Sequence, residues 1–288
     1  MVSCKAVFQQ VCSQLAAAGV PDAAFDAALL LEHTAGEHWR WQDEPLSEEQ
    51  LQILAGLAAR RAAREPLQYI LGRWPFLDFA LEVGPGVLCP RADTELLCTT
   101  AARLLAGWEA PAVLDLCAGS GCVGLGIRRL VASARVTCVE KSPEAFAFLQ
   151  RNAASALPGC DAARPAARCV QADVLTYQAR LPAGGLALVA SNPPYVTSAE
   201  MRALAPELRF EPAMALYADE EGLAFYKHIA PAYRPALAPG GWLAVEIGWR
   251  QGAAVRRIFD GAGYTAVACL QDLEGRDRVV VGQNPAKE

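Results

Sequence analysis

From Pro90 onward the chain alternates between two kinds of segment. Short apolar runs at 112–117, 135–140, 167–173, 186–191, 241–248, 264–270 and 278–282 are separated, for the most part, by helical patterns at 94–106, 121–131, 143–156, 222–237 and 251–262. Brief apolar runs bounded by turn residues read as buried strands, and apolar residues three and four apart read as amphipathic helices. Such alternation leaves few folds open: an α/β domain with a mostly parallel sheet covered by helices on both faces. The last two runs break the rule. Only the connector from Gln271 to Asp277 joins them. It is too short for a parallel crossover, so this pair is predicted to be antiparallel.

The region before this has a different character. Residues 1–72 read as helices only. The first runs from about Ser3 to Ala18 and stops at Gly19; Pro21 and Asp22 open a second that ends at Gly36. Ser47-Glu48-Glu49-Gln50 is a capping box before a third helix, which aligns Leu51, Leu54, Leu57 and Ala58 on one stripe. Arg60, Arg61 and Arg64 close it, placed to interact with its C-terminal dipole or to touch a partner. Residues 73–90 carry Trp74-Pro75-Phe76, an alternating Phe79, Leu81 and Val83, and Gly84-Pro85-Gly86. They read as a hairpin-like joint between a helical domain, 1–72, and the α/β domain, 91–288.

Composition narrows the function. The 288 residues are 53% hydrophobic with a net charge of −5, which describes a globular chain without the basic surplus of a protein that grips a nucleic-acid backbone. Direct nucleic-acid binding is therefore not expected. The ten cysteines form no C-x-x-C pair and the three histidines, His33, His38 and His228, form no ligand set. No metal site is expected, and the cysteines read as small buried hydrophobes in a reducing compartment. The N-terminus lacks a signal-peptide core, and no apolar run approaches the roughly 18 residues that would span a membrane. A cytoplasmic protein without membrane contact is expected.

Two strand ends carry the chemistry. The run 186–191 is followed by Asn192-Pro193-Pro194-Tyr195, and ligands in open α/β sheets bind outside the carboxyl ends of strands. Asn192 offers a carbonyl acceptor. Pro193 has a fixed φ and is barred from the α region by Pro194, so its carbonyl is held in one direction. Tyr195 adds an aromatic face. Two aimed acceptors beside a π-face suit a planar NH2 group, as on a carboxamide or adenine.

The other strand end is Asp115-Leu116-Cys117-Ala118-Gly119-Ser120-Gly121. Glycines at a strand-to-helix turn let a ligand approach the backbone. Gly119 to Gly124 also satisfies the G-x-G-x-x-G dinucleotide pattern, with Glu140 at the expected distance. The loop alone therefore fits NAD or another adenosine cofactor. Asp115 favours S-adenosylmethionine, because a carboxylate there can meet an ammonium group and would repel a pyrophosphate. Glu140 can bind both ribose hydroxyls, Asp173 can accept from the adenine amine, and Val174 can pack on the ring. Asp173 also reads as a helix cap.

These residues resemble the release-factor glutamine methyltransferases, the HemK or PrmC family, over nearly the whole chain. The segments that carry the resemblance are Arg64 to Gly72, Cys89 to Glu95, Val113 to Gly121, Ser191 to Tyr195, Arg209 to Pro212 and Glu246 to Trp249. The resemblance implies a class I S-adenosylmethionine-dependent methyltransferase domain, Rossmann-like, with a small all-α N-terminal domain that docks substrate. It implies that Cys117 to Gly121, Glu140 and Val174 line the cofactor and that Asn192 to Tyr195 hold a glutamine. The substrate it implies is the Gly-Gly-Gln glutamine of class I peptide chain release factors. Cys117 departs from the family's usual glycine, Val174 from a common aromatic. Rival readings are a ribosomal-protein glutamine methyltransferase, a DNA adenine-N6 methyltransferase and an NAD-dependent oxidoreductase.

Overall fold

A computed structural model describes residues 3–41 and 45–286. The chain divides into two compact units: Met1–Arg73 with Leu204–Phe210, and Trp74–Ala203 with Glu211–Glu288. The stretch 74–90, expected as a joint, belongs to the larger unit, and the smaller one recruits seven residues from far along the sequence.

The smaller unit is helical. α1 (Cys4–Ala17) starts where the Ser3 hydroxyl accepts from the Ala6 N–H, and α2 (Ala23–Ala35) ends at Gly36. α3 (Glu48–Ala62) begins with both reciprocal bonds of the Ser47/Gln50 capping box. α4 (Leu67–Leu71) stops at Gly72 in a left-handed conformation. Val7, Val11 and Leu15 form one buried stripe, joined in the interior by Leu30, Leu31, Leu54 and Ala58. The arginines closing α3 hold the recruited segment instead of standing free. Arg61 is buried, with Nε 2.6 Å from Asp26 and Nη2 3.0 Å from Glu207. Arg64 grips Glu207 with two nitrogens, Nε at 2.6 Å and Nη2 at 2.8 Å. Arg60 is spent on Glu65.

The larger unit opens with a two-stranded hairpin, β1 (Arg73–Phe76) and β2 (Phe79–Glu82). A seven-stranded sheet follows: β3 (Ala112–Leu116), β4 (Arg135–Glu140), β5 (Arg168–Gln171), β6 (Leu186–Ser191), β7 (Leu237–Glu246), β8 (Thr265–Gln271) and β9 (Asp277–Gln283). Its order is β5-β4-β3-β6-β7-β9-β8. The pairs among β3 to β7 are parallel, whereas β9 runs antiparallel to both β7 and β8.

Both faces are covered, and the period of two in a strand decides which residue faces where. Val113 packs in a core with Leu97, Val123, Leu125, Val136 and Leu149, from α5 (Glu95–Leu104), α6 (Cys122–Leu130), β4 and α7 (Pro143–Ser155). Leu114 and Leu116 pack on the opposite face with Tyr226, Ile229 and Tyr233 of the helix Ala224–Tyr233 and with Val255 and Phe259. Asp115 shares the parity of Val113. Its Oδ2 accepts from the Gly124 N–H at 2.9 Å. That N–H is one of the orphan donors of the first turn of α6, whose N-cap, Gly121, has no side chain to offer. A Cβ at Gly124 would lie 2.4 Å from Cys138 Sγ, so glycine there lets α6 settle onto the strands.

Chain order places the site. β3 leads outward through β4 to β5, and the chain then returns to lay β6 against the other side of β3. At such a switch point the two strand ends open a crevice. Leu116 pairs with Ser191 in register, and Ser191 Oγ donates to the Leu116 carbonyl at 2.8 Å. The loops that follow β3 and β6 are therefore fixed side by side.

Candidate active site

The crevice is a cleft of about 330 Å³. The β3 loop supplies Cys117, Ala118, Gly119 and Ser120, and β4 supplies Glu140 and the following Lys141 and Ser142. Asp173 and Val174 line it beyond β5, and Asn192 and Pro194 beyond β6. Arg91, Thr94, Met214, Tyr217 and Phe225 complete its wall.

The β3 loop turns through a left-handed Cys117 at φ 57°, followed by Gly119 at 56° and Gly121 at 87°. A non-glycine residue in this region carries strain on the order of 1–2 kcal/mol. The loop is nonetheless held: the Ala118 N–H bonds the Val139 carbonyl at 3.0 Å, and the Gly119 N–H bonds Glu140 Oε2 at 2.8 Å. Ser120 Oγ is buried without a hydrogen-bond partner among the described residues.

Glu140 is fixed on three backbone N–H groups, since its Oε1 accepts from Lys141 at 2.8 Å and Ser142 at 2.7 Å. A carboxylate has about four lone-pair sites, so it keeps capacity for a ligand. Asp173 caps the short helix Val174–Tyr177 by accepting from the Leu175 N–H at 2.9 Å, and its Oδ2 meets Lys141 Nζ at 2.8 Å. Burial pushes this carboxyl up, but Lys141 and the Leu175 N–H outweigh that and hold it below its ordinary value. Val174 is buried at the cleft, its carbonyl bonded by the Tyr233 hydroxyl at 2.6 Å.

Asp115 does not reach the cleft, contrary to the sequence expectation. It is fully buried beneath α6, where strand parity directs it. Burial pushes its carboxyl up to about 7, against the Gly124 hydrogen bond. Its role in the fold is to cap α6 behind the loop.

The 192–195 corner is divided in the same way. Asn192 faces the cleft and its Nδ2 donates to Thr94 Oγ1 at 3.2 Å. Pro193 is buried, and neither it nor Tyr195 lines the cleft. Tyr195 packs instead against the core beside the helix Ala224–Tyr233, and its hydroxyl donates to Glu246 Oε1 at 3.4 Å. The aromatic face expected beside a substrate amide is thus turned inward. Tyr195 anchors the corner: its N–H bonds the Leu216 carbonyl at 3.1 Å, and its carbonyl accepts from Gln251 Nε2 at 3.1 Å. Gly222, at φ 78°, abuts that carbonyl so closely that a Cβ would stand 2.2 Å from the oxygen. Among the described residues no cluster could hold a metal ion.

Comparison with known proteins decides the family. Residues 6–72 match the family model described as PrmC N-terminal domain, and residues 101–228 match conserved hypothetical protein 95. A release factor glutamine methyltransferase of Geobacter sulfurreducens is 42% identical over 244 residues, spanning 84% of this chain and 81% of its own. The chain belongs to the release factor glutamine methyltransferase family. A second member, from Vibrio cholerae, is 36% identical and spans 98% of this chain and 97% of its own. Among solved structures, the hMettl16 catalytic domain bound to a MAT2A 3'UTR hairpin covers 79% of this chain and 82% of its own at a TM-score of 0.57 and 14% identity. That likeness is one of fold alone.

Within this family member, several residues near the site carry roles that the sequence reading did not assign. Arg91 and Thr94 lie in the segment Cys89 to Glu95, which contributed only to the resemblance. Glu211 is buried; it pairs with Arg91 and accepts from the Cys89 N–H at 3.2 Å. Glu246 is buried beneath the corner, and its Oε2 has no hydrogen-bond partner among the described residues. A signal for the two glutamates was present: an acidic residue inside an otherwise apolar or motif-bearing stretch.

Proposed function

We propose that this chain transfers a methyl group from S-adenosylmethionine to the side-chain amide nitrogen (N5) of the glutamine in the Gly-Gly-Gln motif of class I peptide chain release factors, in the cytoplasm. One observation carries the reading: the β3 loop and Asn192 line a single cleft, held together by the Ser191–Leu116 bond. A donor and an acceptor site for group transfer must adjoin in this way.

The cleft suits the donor. Glu140 is preset on three N–H groups for a ribose diol, Val174 offers an apolar wall for a purine, and the β3 loop lets a ligand approach its backbone. Asp173 serves the purine amine with whatever capacity its cap and Lys141 leave. When bound, the donor supplies an electrophilic methyl carbon on a sulfonium.

The chain's own residues do the positioning. An amide nitrogen is a poor nucleophile because its lone pair is delocalised into the carbonyl. Asn192, which lines the cleft, accepts one amide N–H on Oδ1 and holds the nitrogen for in-line approach at roughly 3–3.5 Å. This acceptor gains strength as positive charge develops on nitrogen, so it favours the transition state over the ground state. The alkylated amide is a strong acid and gives its proton to water, so no general base is needed.

Incubating the enzyme with a purified class I release factor and isotopically labelled donor tests this. Peptide mapping should place one methyl group on the Gly-Gly-Gln glutamine. Label on another residue, or none, would overturn the reading.

A further inference from the structure

Among the described residues two cationic side chains line the cleft, Arg91 and Lys141. Lys141 is engaged beyond β5, where its Nζ meets Asp173 Oδ2 at 2.8 Å. Arg91 stands at the Asn192 side. Its carbonyl accepts from the Thr94 N–H at 3.1 Å, and Thr94 Oγ1 accepts from Asn192 Nδ2 at 3.2 Å. Thr94 thus ties Arg91 and Asn192 into one wall.

The guanidinium is anchored from behind. Its Nη2 donates to Glu211 Oε1, and Glu211 Oε2 accepts from the Cys89 N–H at 3.2 Å. The Glu211 side chain is 1% exposed. It is held at both oxygens and balances the charge of Arg91. A guanidinium carries five N–H donors. Glu211 takes one, and the Cys89 thiol lies beside the group. Donors remain over, and the Arg91 side chain is still 34% exposed at the cleft it lines.

We infer that Arg91 binds the carbonyl oxygen of the same glutamine carboxamide whose NH2 is held by Asn192; this rests on the amide-methylating reading above. A carboxamide donates at one end and accepts at the other. Asn192 Oδ1 serves the donor end. A desolvated carbonyl left without a donor weakens binding, and Arg91 has donors to spare on the same wall. The two residues together read the amide by its polarity. A glutamate offers acceptors at both ends, so it meets Asn192 Oδ1 acceptor to acceptor and is refused.

The chemistry separates the two roles. As the nitrogen gives its lone pair to the methyl carbon, amide resonance is lost and the carbonyl oxygen sheds negative charge. The Arg91 bond is therefore strongest before transfer and weakens at the transition state, the reverse of the Asn192 bond. Arg91 selects and binds, and Asn192 accelerates.

The test compares wild type with Arg91→Met/Glu211→Gln. The paired change removes both charges, so no carboxylate is buried alone, and the new amide can still accept the Cys89 N–H. Enzyme loaded with S-adenosylhomocysteine is titrated with a class I release factor and with one whose target glutamine is replaced by methionine. Wild type should prefer the glutamine factor, and the paired variant should lose about tenfold of that preference. Its KM for the factor should rise about tenfold, with kcat within about threefold and S-adenosylhomocysteine Kd within about twofold of wild type. If thermal unfolding shows the paired variant to be damaged, Arg91→Lys keeps the ion pair but not the fork, and should lose at least about threefold of the preference. The titrations are repeated with Asn192→Ala added to each enzyme. The loss caused by removing Arg91 should persist there; its disappearance would mean that Arg91 acts only by holding Thr94 and Asn192. That result, an undiminished preference, a fall in kcat at unchanged KM, or a cofactor Kd weakened about tenfold would each overturn the inference. If wild type methylates no release-factor glutamine, the proposed function fails instead.

Discussion

Replacing Gly222 by alanine should damage the active corner from behind without touching the cleft. The magnitude has two parts. Gly222 sits at φ 78°, and a Cβ built there stands 2.2 Å from the Tyr195 oxygen and 2.5 Å from Gln251 Nε2. Left-handed strain adds about 1–2 kcal/mol and overpacking about 1–3 kcal/mol, giving roughly 2–5 kcal/mol in all. Relief requires the Tyr195 carbonyl to retreat by on the order of 1 Å, well short of ordinary contact otherwise, and that breaks its 3.1 Å bond to Gln251. For a unit of this size the destabilisation is a fall in Tm of roughly 5–15 °C. Asn192 lies three residues upstream, and a misplacement of about 1 Å at a positioned group lowers turnover by about 10²-fold. Thermal unfolding and steady-state methylation read the two effects, with S-adenosylhomocysteine titration as control. Wild-type Tm and kcat in this variant would refute the claim that backbone contact at Gly222 sets the corner.

Asn192→Ala should lower kcat roughly 10²–10³-fold, the scale of losing one preorganised transition-state contact, while calorimetry finds cofactor affinity within about twofold of wild type; near-normal turnover would defeat the role given to Asn192. Cys117→Gly should leave stability within about 1 kcal/mol, because relief of left-handed strain offsets the extra freedom of glycine and the lost thiol contacts. It should bind S-adenosylhomocysteine at least as well, and weaker binding would show that the thiol shapes the site. Asp115 has its carboxyl raised from 3.8 to about 7 by burial. Its folded-state proton therefore stabilises fully below the unfolded value and is lost as pH rises through the folded one. Wild-type stability should fall from pH 5 to pH 8 more than that of Asp115→Asn, by up to about 3 kcal/mol, since only the roughly two units between pH 5 and the folded value of about 7 count at about 1.4 kcal/mol each; parallel Tm curves would contradict the assigned burial.

The strands of the sheet were legible because apolar runs bounded by turns leave no other use for those residues, and each lies within a few residues of its expected place. The antiparallel end was legible from the short connector alone. Direction was harder to read than position. Asp115 reads from the sequence as opening toward a ligand because it lies near a strand end, yet it shares the parity of Val113 and so faces α6; knowing which helix covers which face is required. Tyr195 differs from expectation for the same reason: its ring direction depends on Glu246 and on the core of another strand. The Thr94 contact to Asn192 spans 98 positions, a separation at which spacing carries no signal.

The ion pairs between Glu207 and the arginines closing α3 have a topological consequence. Three covalent crossings, at 73–74, 203–204 and 210–211, thread the polypeptide between the two units. A protease that nicked after Arg73 would leave both fragments bound, because the distal piece still reaches back with Glu207 into two guanidinium forks. Excision of residues 1–73 would strand that carboxylate on a seven-residue flap, Leu204–Phe210, that has lost its bed. The two halves are therefore expected to be inherited, expressed and degraded as one piece.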